Sequence, residues 1–241
     1  MRTKTLLVAA AALAAAITSS QAQTVYSQNI VGYVNQVFPG SPNYTLATAP
    51  VTGTTNAADQ ILTCLQSGDS ISLWTGTSFK VYTYFPGIYT GTNFVDDSFN
   101  ALPTPQLAPG QAFFYSNNQG AGSPETNTWT GSCVLSNQMV LPGSPNYSLI
   151  ASFTPVAALA DSTNINLPLV SGDALLLWNG SGFKTYTYFP GIFTGTNFVD
   201  DSFNALPDPT IQVGQGFFYQ NNQGAGTPET WTQNNNYILN P

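Results

Sequence analysis

Short runs of β-branched and aromatic residues recur along the chain, separated by turns that contain Gly or Pro. Runs of about four to eight such residues between turn markers are typical of β-strands. In the first half of the chain this pattern predicts strands at Ile30–Phe38, Ser70–Thr75, Phe79–Phe85, Gln111–Tyr115 and Thr128–Leu135. Because side chains alternate between the two faces of a strand, Tyr82 and Tyr84 should share a face with Lys80.

One segment favours a helix. Ala57–Leu65 has apolar residues at helical spacing, and Asn56 is a suitable N-cap. The corresponding segment of the second half contains Pro168, so we expect the helix to be short or absent there. Hairpins are expected at Trp74–Phe79 and at Trp178–Phe183, because Gly-containing turns join two strand-like runs at both places.

The chain repeats itself with a spacing of 103 to 104 residues. The segment that begins PGSPNY at Pro39 returns at Pro142, and the Trp hairpin returns as described above. The longest match is YTYFPGIYTGTNFVDDSFNALP from Tyr82, which returns from Tyr186 with a single change, Tyr89 to Phe193. This pattern indicates an internal duplication, with or without a shared functional demand on the matching stretch.

The predicted fold class is all-β, with two tandem repeats that each form a small antiparallel sandwich or barrel with at most one short helix. The alternative is one larger pseudosymmetric sandwich or barrel built from both repeats. The expected segments are a signal peptide at 1–22, a first β repeat at 23–133 and a second at 134–241.

The N-terminus has the pattern of a secretory signal peptide. Arg2 and Lys4 precede an apolar run from Leu6 to Ile17, and Ser20-Gln21-Ala22 supplies small residues for cleavage near Ala22. The apolar run is short for a bilayer core of about 30 Å. We therefore expect a secreted protein, in the extracellular space, at the cell surface or in the periplasm, without membrane insertion of the mature form.

Composition excludes several function classes. The chain has no His among its 241 residues, which removes Ser-His-Asp triads and His-ligated zinc sites. Lys and Arg number four against eleven acids, so we expect no nucleic-acid partner. Lys80 and Lys184, at matching positions, are expected to protect a strand edge or pair with a carboxylate. No cofactor is expected.

The paired acids Asp96-Asp97 and Asp200-Asp201 are candidates for acid–base catalysis in a hydrolase or for calcium binding. Adjacent residues on a strand point to opposite faces, which argues against catalysis by the pair. Hard oxygen ligands in a polar loop favour calcium over catalysis, although the regular spacing of an EF-hand loop is missing and solvated turn acids are the commoner interpretation. The candidate calcium ligands are Asn93, Asp96, Asp97, Asn197, Asp200 and Asp201. Glu125 and Glu229 are expected at a turn or a strand end.

Aromatic residues make up 13% of the chain and lie among Asn, Thr and Gly residues. Sugar-binding β-modules present aromatic faces to pyranose rings and polar side chains to hydroxyl groups. The residues expected to be exposed for this purpose are Tyr82, Tyr84, Tyr186 and Tyr188. Core packing is the competing interpretation of the same aromatic residues.

The two cysteines, Cys64 and Cys133, both lie in the first repeat. In an exported chain two cysteines are typically joined, so we expect a disulfide that stabilises the fold by about 4 kcal/mol. Two buried free thiols are the alternative.

The segment Val25–Asn35, VYSQNIVGYVN, resembles the start of a group of exported β-rich proteins of Verrucomicrobia-type bacteria. The segments NYSLIA from Asn146, WNG from Trp178 and GQGFFY from Gly214 follow in the order seen in that group. The resemblance implies an exported β-rich protein, and it carries no catalytic residue to this chain.

Together these observations favour a secreted non-enzymatic structural, matrix or adhesion protein with two rigid β-domains. A carbohydrate-binding module, with or without calcium, is the second hypothesis, and an Asp-dependent hydrolase is the third. The expected partners are extracellular polysaccharide or other surface proteins.

Overall fold

The computed structural model describes residues 31–41, 43–143, 146–224 and 226–234. The expected signal peptide and Val25–Ile30 of the exported-protein motif lie outside these residues. The first repeat contains the four-residue helix α1 (Ala58–Ile61) and eight strands. The strands are β1 (Val31–Phe38), β2 (Tyr44–Thr48), β3 (Ser70–Trp74), β4 (Phe79–Tyr89), β5 (Thr92–Val95), β6 (Ala101–Leu102), β7 (Ala112–Ser116) and β8 (Glu125–Ser132).

The second repeat contains equivalents of these eight strands and two further short strands. The strands of this repeat are β9 (Ser136–Leu141), β10 (Tyr147–Ala151), β11 (Ala158–Leu159), β12 (Ala174–Trp178), β13 (Phe183–Phe193), β14 (Thr196–Val199), β15 (Ala205–Leu206), β16 (Thr210–Ile211), β17 (Gly216–Gln220) and β18 (Glu229–Asn234). The short pair β11–β16 stands where the first repeat has α1 and an isolated bridge between Ala57 and Gln106.

Each repeat forms one antiparallel six-stranded sheet. The strand orders are β2-β7-β3-β4-β5-β6 and β10-β17-β12-β13-β14-β15. A two-stranded ribbon accompanies each sheet, β1 with β8 and β9 with β18. The all-β class with two tandem repeats is therefore confirmed. The expected boundary between the repeats lies between the last residue of β8 and the first residue of β9.

Local sequence explains much of this pattern. The two hairpins form as predicted, with Trp74 paired to Phe79 and Trp178 paired to Phe183. The helix is shorter than predicted at its C-terminal end, because the backbone leaves the helical conformation at Leu62 and the Thr63 N–H donates to the Asn127 side chain at 2.8 Å. Asn56 is not the N-cap, since Ala57 occupies that position and no side chain caps the helix. β2, β5 and β6 were not predicted, since each is short and carries polar or small residues.

One face of each sheet packs against its own ribbon and loops. In the second repeat this core contains Leu175, Phe198, Phe217, Tyr219 and Trp231, all almost completely buried. The equivalent side chains of the first repeat, among them Ile71, Phe94, Phe113 and Tyr115, are also buried. Each repeat thus has the layered core of a small sandwich.

The opposite face of each sheet packs against the other repeat. Leu46 and Ala112 of the first repeat share a buried cluster with Leu149, Ala151 and Phe218 of the second. Two reciprocal hydrogen bonds flank this cluster: the indole Nε1 of Trp74 donates to the carbonyl of Tyr147 at 3.0 Å, and that of Trp178 donates to the carbonyl of Tyr44 at 2.9 Å.

Backbone bonds also cross between the repeats. Thr48 donates to the carbonyl of Gly214 at 3.1 Å, and Ala151 donates to the carbonyl of Gly110 at 2.9 Å. Each bond comes from the last residue of an edge strand, β2 or β10, so one edge of each sheet is tied to the other repeat at that point. The two repeats therefore form one continuous body, with features of both expected architectures.

The expected disulfide is wrong, because Cys64 and Cys133 are both free thiols. The sulfur of Cys64 lies 3.8 Å from the Tyr115 hydroxyl, which also contacts Glu125 at the start of β8. Cys133 follows the last residue of β8. At about 3.3 Å per residue the two ends of this strand are roughly 20 Å or more apart, far beyond the reach of a disulfide.

Candidate binding surface

The end of a long strand (β4 or β13) and a neighbouring turn together expose large apolar side chains in each repeat. In the first repeat Ile88, Tyr89 and Phe99 are 46%, 42% and 53% exposed. We call these three residues together with Phe85 the aromatic loop surface of the first repeat. The aromatic loop surface of the second repeat consists of their counterparts, Phe189, Ile192, Phe193 and Phe203. In the second repeat the exposed fractions of Ile192, Phe193 and Phe203 are 54%, 38% and 60%. The same surface is therefore presented twice.

Asp96 builds the turn that carries Phe99. Its carboxylate accepts hydrogen bonds from the backbone N–H groups of Ser98 at 2.9 Å and Asn100 at 2.8 Å, and from the Asn100 side-chain amide. The Asn100 bonds, the Ser98 bond and the charge of Lys80 lower the pKa of Asp96. Asp200 makes the same set of bonds in the second repeat.

The backbone of Phe99 has a φ of 60°, as does that of Phe203. A bulky residue in this left-handed region costs about 1–2 kcal/mol relative to an ordinary conformation. Two contacts hold Phe99 in place: its ring lies 5.3 Å from that of Phe85, and its carbonyl accepts a hydrogen bond from the Tyr89 hydroxyl at 2.7 Å. The ring nevertheless remains half exposed.

The four tyrosines expected to be exposed lie elsewhere. Tyr82 is 9% exposed and packs edge-on against Phe94, and Tyr186 packs in the same way against Phe198. Tyr84 and Tyr188 are half-buried against the same two phenylalanines. The expected exposure of Tyr82 is therefore wrong, because its strand face points into the core of the repeat.

Lys80 lies above the Tyr82 ring, with its Nζ 5.1 Å from the ring centre. Lys184 lies 4.9 Å from the Tyr186 ring in the same way. Each lysine thus makes a cation–π contact on its own strand. The partner of each lysine ammonium group is thus a tyrosine ring, where the sequence predicted a carboxylate.

The candidate calcium ligands are not gathered into a metal site. Within the described ranges, no three His, Cys, Asp or Glu side chains cluster as metal ligands. Asn93 donates to Asp59 of α1 at 3.4 Å and Asn197 donates to Asp161 at 2.9 Å, so both amides are bonded to neighbouring acids. The other candidates are Asp96 and Asp200, which hold their own turns, and Asp97 and Asp201, which are exposed.

A second group of polar residues is buried in each repeat. The hydroxyl of Tyr115 lies 2.8 Å from Asp69 and 2.7 Å from Glu125. The hydroxyl of Tyr219 lies 2.7 Å from Asp173 and 2.9 Å from Glu229. We call each set a Tyr–carboxylate cluster.

The hydrogen bonds of the Tyr–carboxylate cluster in the first repeat depend on which groups carry a proton. One hydroxyl proton cannot satisfy two carboxylates, so one of the two acids must supply a second proton. Asp69 accepts backbone bonds from Gln66 and Asn118, which suits an acceptor-only carboxylate. Burial raises the pKa of Glu125 and, together with the Glu125 contact, that of Tyr115. We infer a protonated Glu125 that donates to Tyr115, which donates to Asp69.

In the second repeat, burial likewise raises the pKa of Glu229 and of Tyr219. The first repeat adds a thiol to this arrangement, and burial raises the pKa of Cys64 to about 12. Every acid and tyrosine of the two clusters is buried except Glu229, which is partly exposed, so the clusters are poorly placed to meet a substrate.

Sequence reasoning placed Glu125 and Glu229 at strand ends, where the structure has them, but missed their partners. The available signal was the repetition of Asp69, Tyr115 and Glu125 at matching positions of both halves. The aromatic loop surface was missed as well. Phe99 follows the paired acids, and the sequence does not show that its ring points outward.

A cleft of about 570 Å³ lies beside β8 in the first repeat. Its walls are formed by Thr52–Thr55, Gln60, Thr63 and the β8 residues from Thr128 to Ser132. These side chains are neutral, so the cleft supplies no acid or base for catalysis.

Two groups of residues therefore require a functional interpretation. The aromatic loop surfaces are exposed to macromolecular ligands, whereas the Tyr–carboxylate clusters are buried. The one helix in the part of the chain that the structure describes is too short to cross a membrane. Comparison of the chain with protein-family models, curated proteins and solved structures finds no match.

Proposed function

We propose that this chain is a secreted, non-enzymatic structural and adhesion protein that attaches through its two aromatic loop surfaces. The observation that carries the proposal is the repetition of one exposed apolar surface in both halves. This surface belongs to the longest matching stretch of the two repeats, in which only Tyr89 and Phe193 differ. Exposed loops ordinarily diverge faster than cores, so a shared exposed surface favours a shared binding role.

The joint between the repeats supports this proposal. Trp74 and Trp178 each donate a hydrogen bond to the opposite repeat, and a common apolar cluster lies between them. A rigid body that presents two binding surfaces can engage a repetitive partner at both, which raises its apparent affinity.

Residue chemistry favours a role without catalysis. Asp96 and Asp200, in the turns that carry Phe99 and Phe203, use their oxygens to hold those turns. The cleft beside β8 is lined by neutral groups. The acids whose pKa is raised, Glu125 and Glu229, lie in the Tyr–carboxylate clusters, away from the exposed surface.

Sedimentation with insoluble extracellular material from the producing cells tests the proposal. The full chain should co-sediment, and the double variant F99N/F203N should not. A Tyr33→Thr variant is the matched control, since Tyr33 is 67% exposed on β1, outside both surfaces. Equal sedimentation of the double variant and the native chain would refute attachment through these surfaces.

A further inference from the structure

We propose that each aromatic loop surface binds a neutral polysaccharide, by stacking of pyranose rings on Phe99 and Phe203. This inference rests on the proposed adhesive function and adds the chemical class of its ligand. Neutral sugar polymers present apolar C–H faces and many hydroxyl groups. They therefore need an exposed aromatic ring with hydrogen-bonding groups nearby.

The surface of the first repeat provides both features. The Phe99 ring is 53% exposed and lies at 5.3 Å and 32° to the Phe85 ring. Asp97, Ser98 and Asn100 are exposed beside it on the same turn. In the second repeat the Phe203 ring lies at 5.2 Å and 30° to Phe189, beside the same three polar residue types. Both repeats thus combine an aromatic platform with neighbouring hydroxyl, amide and carboxylate groups.

The charges near each surface disfavour several classes of macromolecule as its ligand. Lys80 and Lys184 are the only cations after residue 4, and each lies over a tyrosine ring. A single lysine in each repeat, in contact with a tyrosine ring, falls short of the clustered cations that nucleic acids, anionic glycans and anionic lipids require. Asp96 has a lowered pKa and stays ionised beside Phe99, which opposes insertion into a bilayer.

The same acids disfavour a second copy of this chain as the occupant. Two loop surfaces that met each other would bring together the acid pairs Asp96-Asp97 or Asp200-Asp201, on a chain of formal net charge −7. Like charges across an interface oppose association. A neutral polymer that offers hydroxyl groups to these carboxylates avoids this repulsion.

Backbone strain provides an independent argument. A φ of 60° suits Gly or Asn, yet both repeats place Phe at this position. Strain at an exposed residue is typical of a functional position, because a relaxed residue would be more stable there. We therefore infer that Phe99 serves binding through its exposed ring and does not stabilise the fold.

This strain allows a clean test. Asn tolerates the left-handed region, so Phe99→Asn and Phe203→Asn should keep the turns while removing the rings. Affinity electrophoresis of the full chain through gels that contain hydroxyethylcellulose, galactomannan or glycogen measures binding to neutral polysaccharides, and alginate provides the anionic comparison. We expect retardation in at least one neutral gel and none in alginate.

Each single variant should weaken that binding about tenfold, and the double variant should weaken it more than about 100-fold, because attachment at two sites is lost. The Tyr33→Thr control should migrate like the native chain. The melting temperatures of the Asn variants should equal or exceed that of the native chain, which separates a lost ring from a lost fold.

Other outcomes would overturn the inference. These are unretarded migration of the native chain in every neutral gel, equal retardation in alginate, or native-like retardation of F99N/F203N. Sedimentation with the extracellular material that persists without any glycan binding would leave the adhesive function intact and refute only the ligand class. Loss of that sedimentation after protease treatment of the material would identify a protein partner instead.

Discussion

Replacing Gly216 with alanine is expected to destabilise the joint between the two repeats. A Cβ atom at Gly216 would lie 2.5 Å from the Cβ of Ala112 and 3.0 Å from the Cγ of Leu46, both in the other repeat. Ordinary carbon contacts are about 3.5–4.0 Å long, so the two sheets would have to move apart locally by about 1 Å. The φ of Gly216 lies outside the left-handed region, so the conflict is one of packing and not of backbone conformation.

Overpacking of this kind costs about 1–3 kcal/mol, and we expect Gly216→Ala to lie near the upper end because both sheets are hydrogen-bonded across the joint. For a chain of this size that corresponds to a melting temperature lower by roughly 4–10 °C. Urea unfolding followed by intrinsic fluorescence measures the free energy directly.

Ala112 occupies the position in the first repeat that Gly216 occupies in the second. The variant Ala112→Gly should lose about 1–2 kcal/mol, from one buried methyl group and a more flexible backbone. In the double variant A112G/G216A the methyl group moves to the other side of the joint and the conflict between the two Cβ atoms disappears. The free energy of unfolding of A112G/G216A should therefore be close to that of A112G.

The double variant tests whether positions 112 and 216 contact each other across the joint. Strictly additive losses would show that the two positions do not contact each other, because residues in contact couple and distant residues add. A Gly216→Ala variant as stable as the native chain would likewise refute face-to-face packing of the two sheets.

Three further changes have expected outcomes. Glu125 has a raised pKa, so the stability that its protonated form contributes is complete below the ordinary value of 4.5 and is lost as the pH rises through the folded-state value. Thermal melting from pH 4 to pH 8 should show this loss in the native chain and less of it in Glu125→Gln; parallel curves would contradict a protonated Glu125. Titration with a thiol reagent should find Cys64 and Cys133 unreactive in the folded protein and both reactive in denaturant without reductant, whereas no reaction in denaturant would show a disulfide. Trp178→Phe removes an indole donor at the joint and should cost about 1 kcal/mol in urea unfolding, with an unchanged free energy as the contrary result.

Particular elements show how far the sequence could be interpreted. The hairpin at Trp74–Phe79 was predictable because its turn residues act locally and Gly76 adopts a φ of 99°. The helix at Ala57–Leu65 was overestimated because apolar spacing does not show that the Thr63 N–H bonds to the side chain of Asn127, a residue distant in the chain. β5 and β6 were not predicted, since such short strands depend on their pairing, β5 with β4 and β6 with β5.

The candidate site was harder to predict than the fold. The period of a strand separates Tyr82 from Val81, but it cannot show which face lies in the core. Both faces of each sheet are covered and therefore carry apolar residues, so the residue types on a face do not show which face lies in the core of the repeat. The disulfide prediction was wrong for a related reason, since the separation of Cys64 and Cys133 depends on the direction of β8.

The sequence by itself determined that one β-rich unit occurs twice, since strand propensity, turn residues and repetition are local properties of the chain. It also determined a surface poor in cations, because composition does not depend on folding. Only the tertiary structure decided that the two sheets share a core, that Asp69, Tyr115 and Glu125 meet, and that Phe99 is exposed. These features depend on contacts between residues distant in the chain, and such contacts form only when the sheets pack.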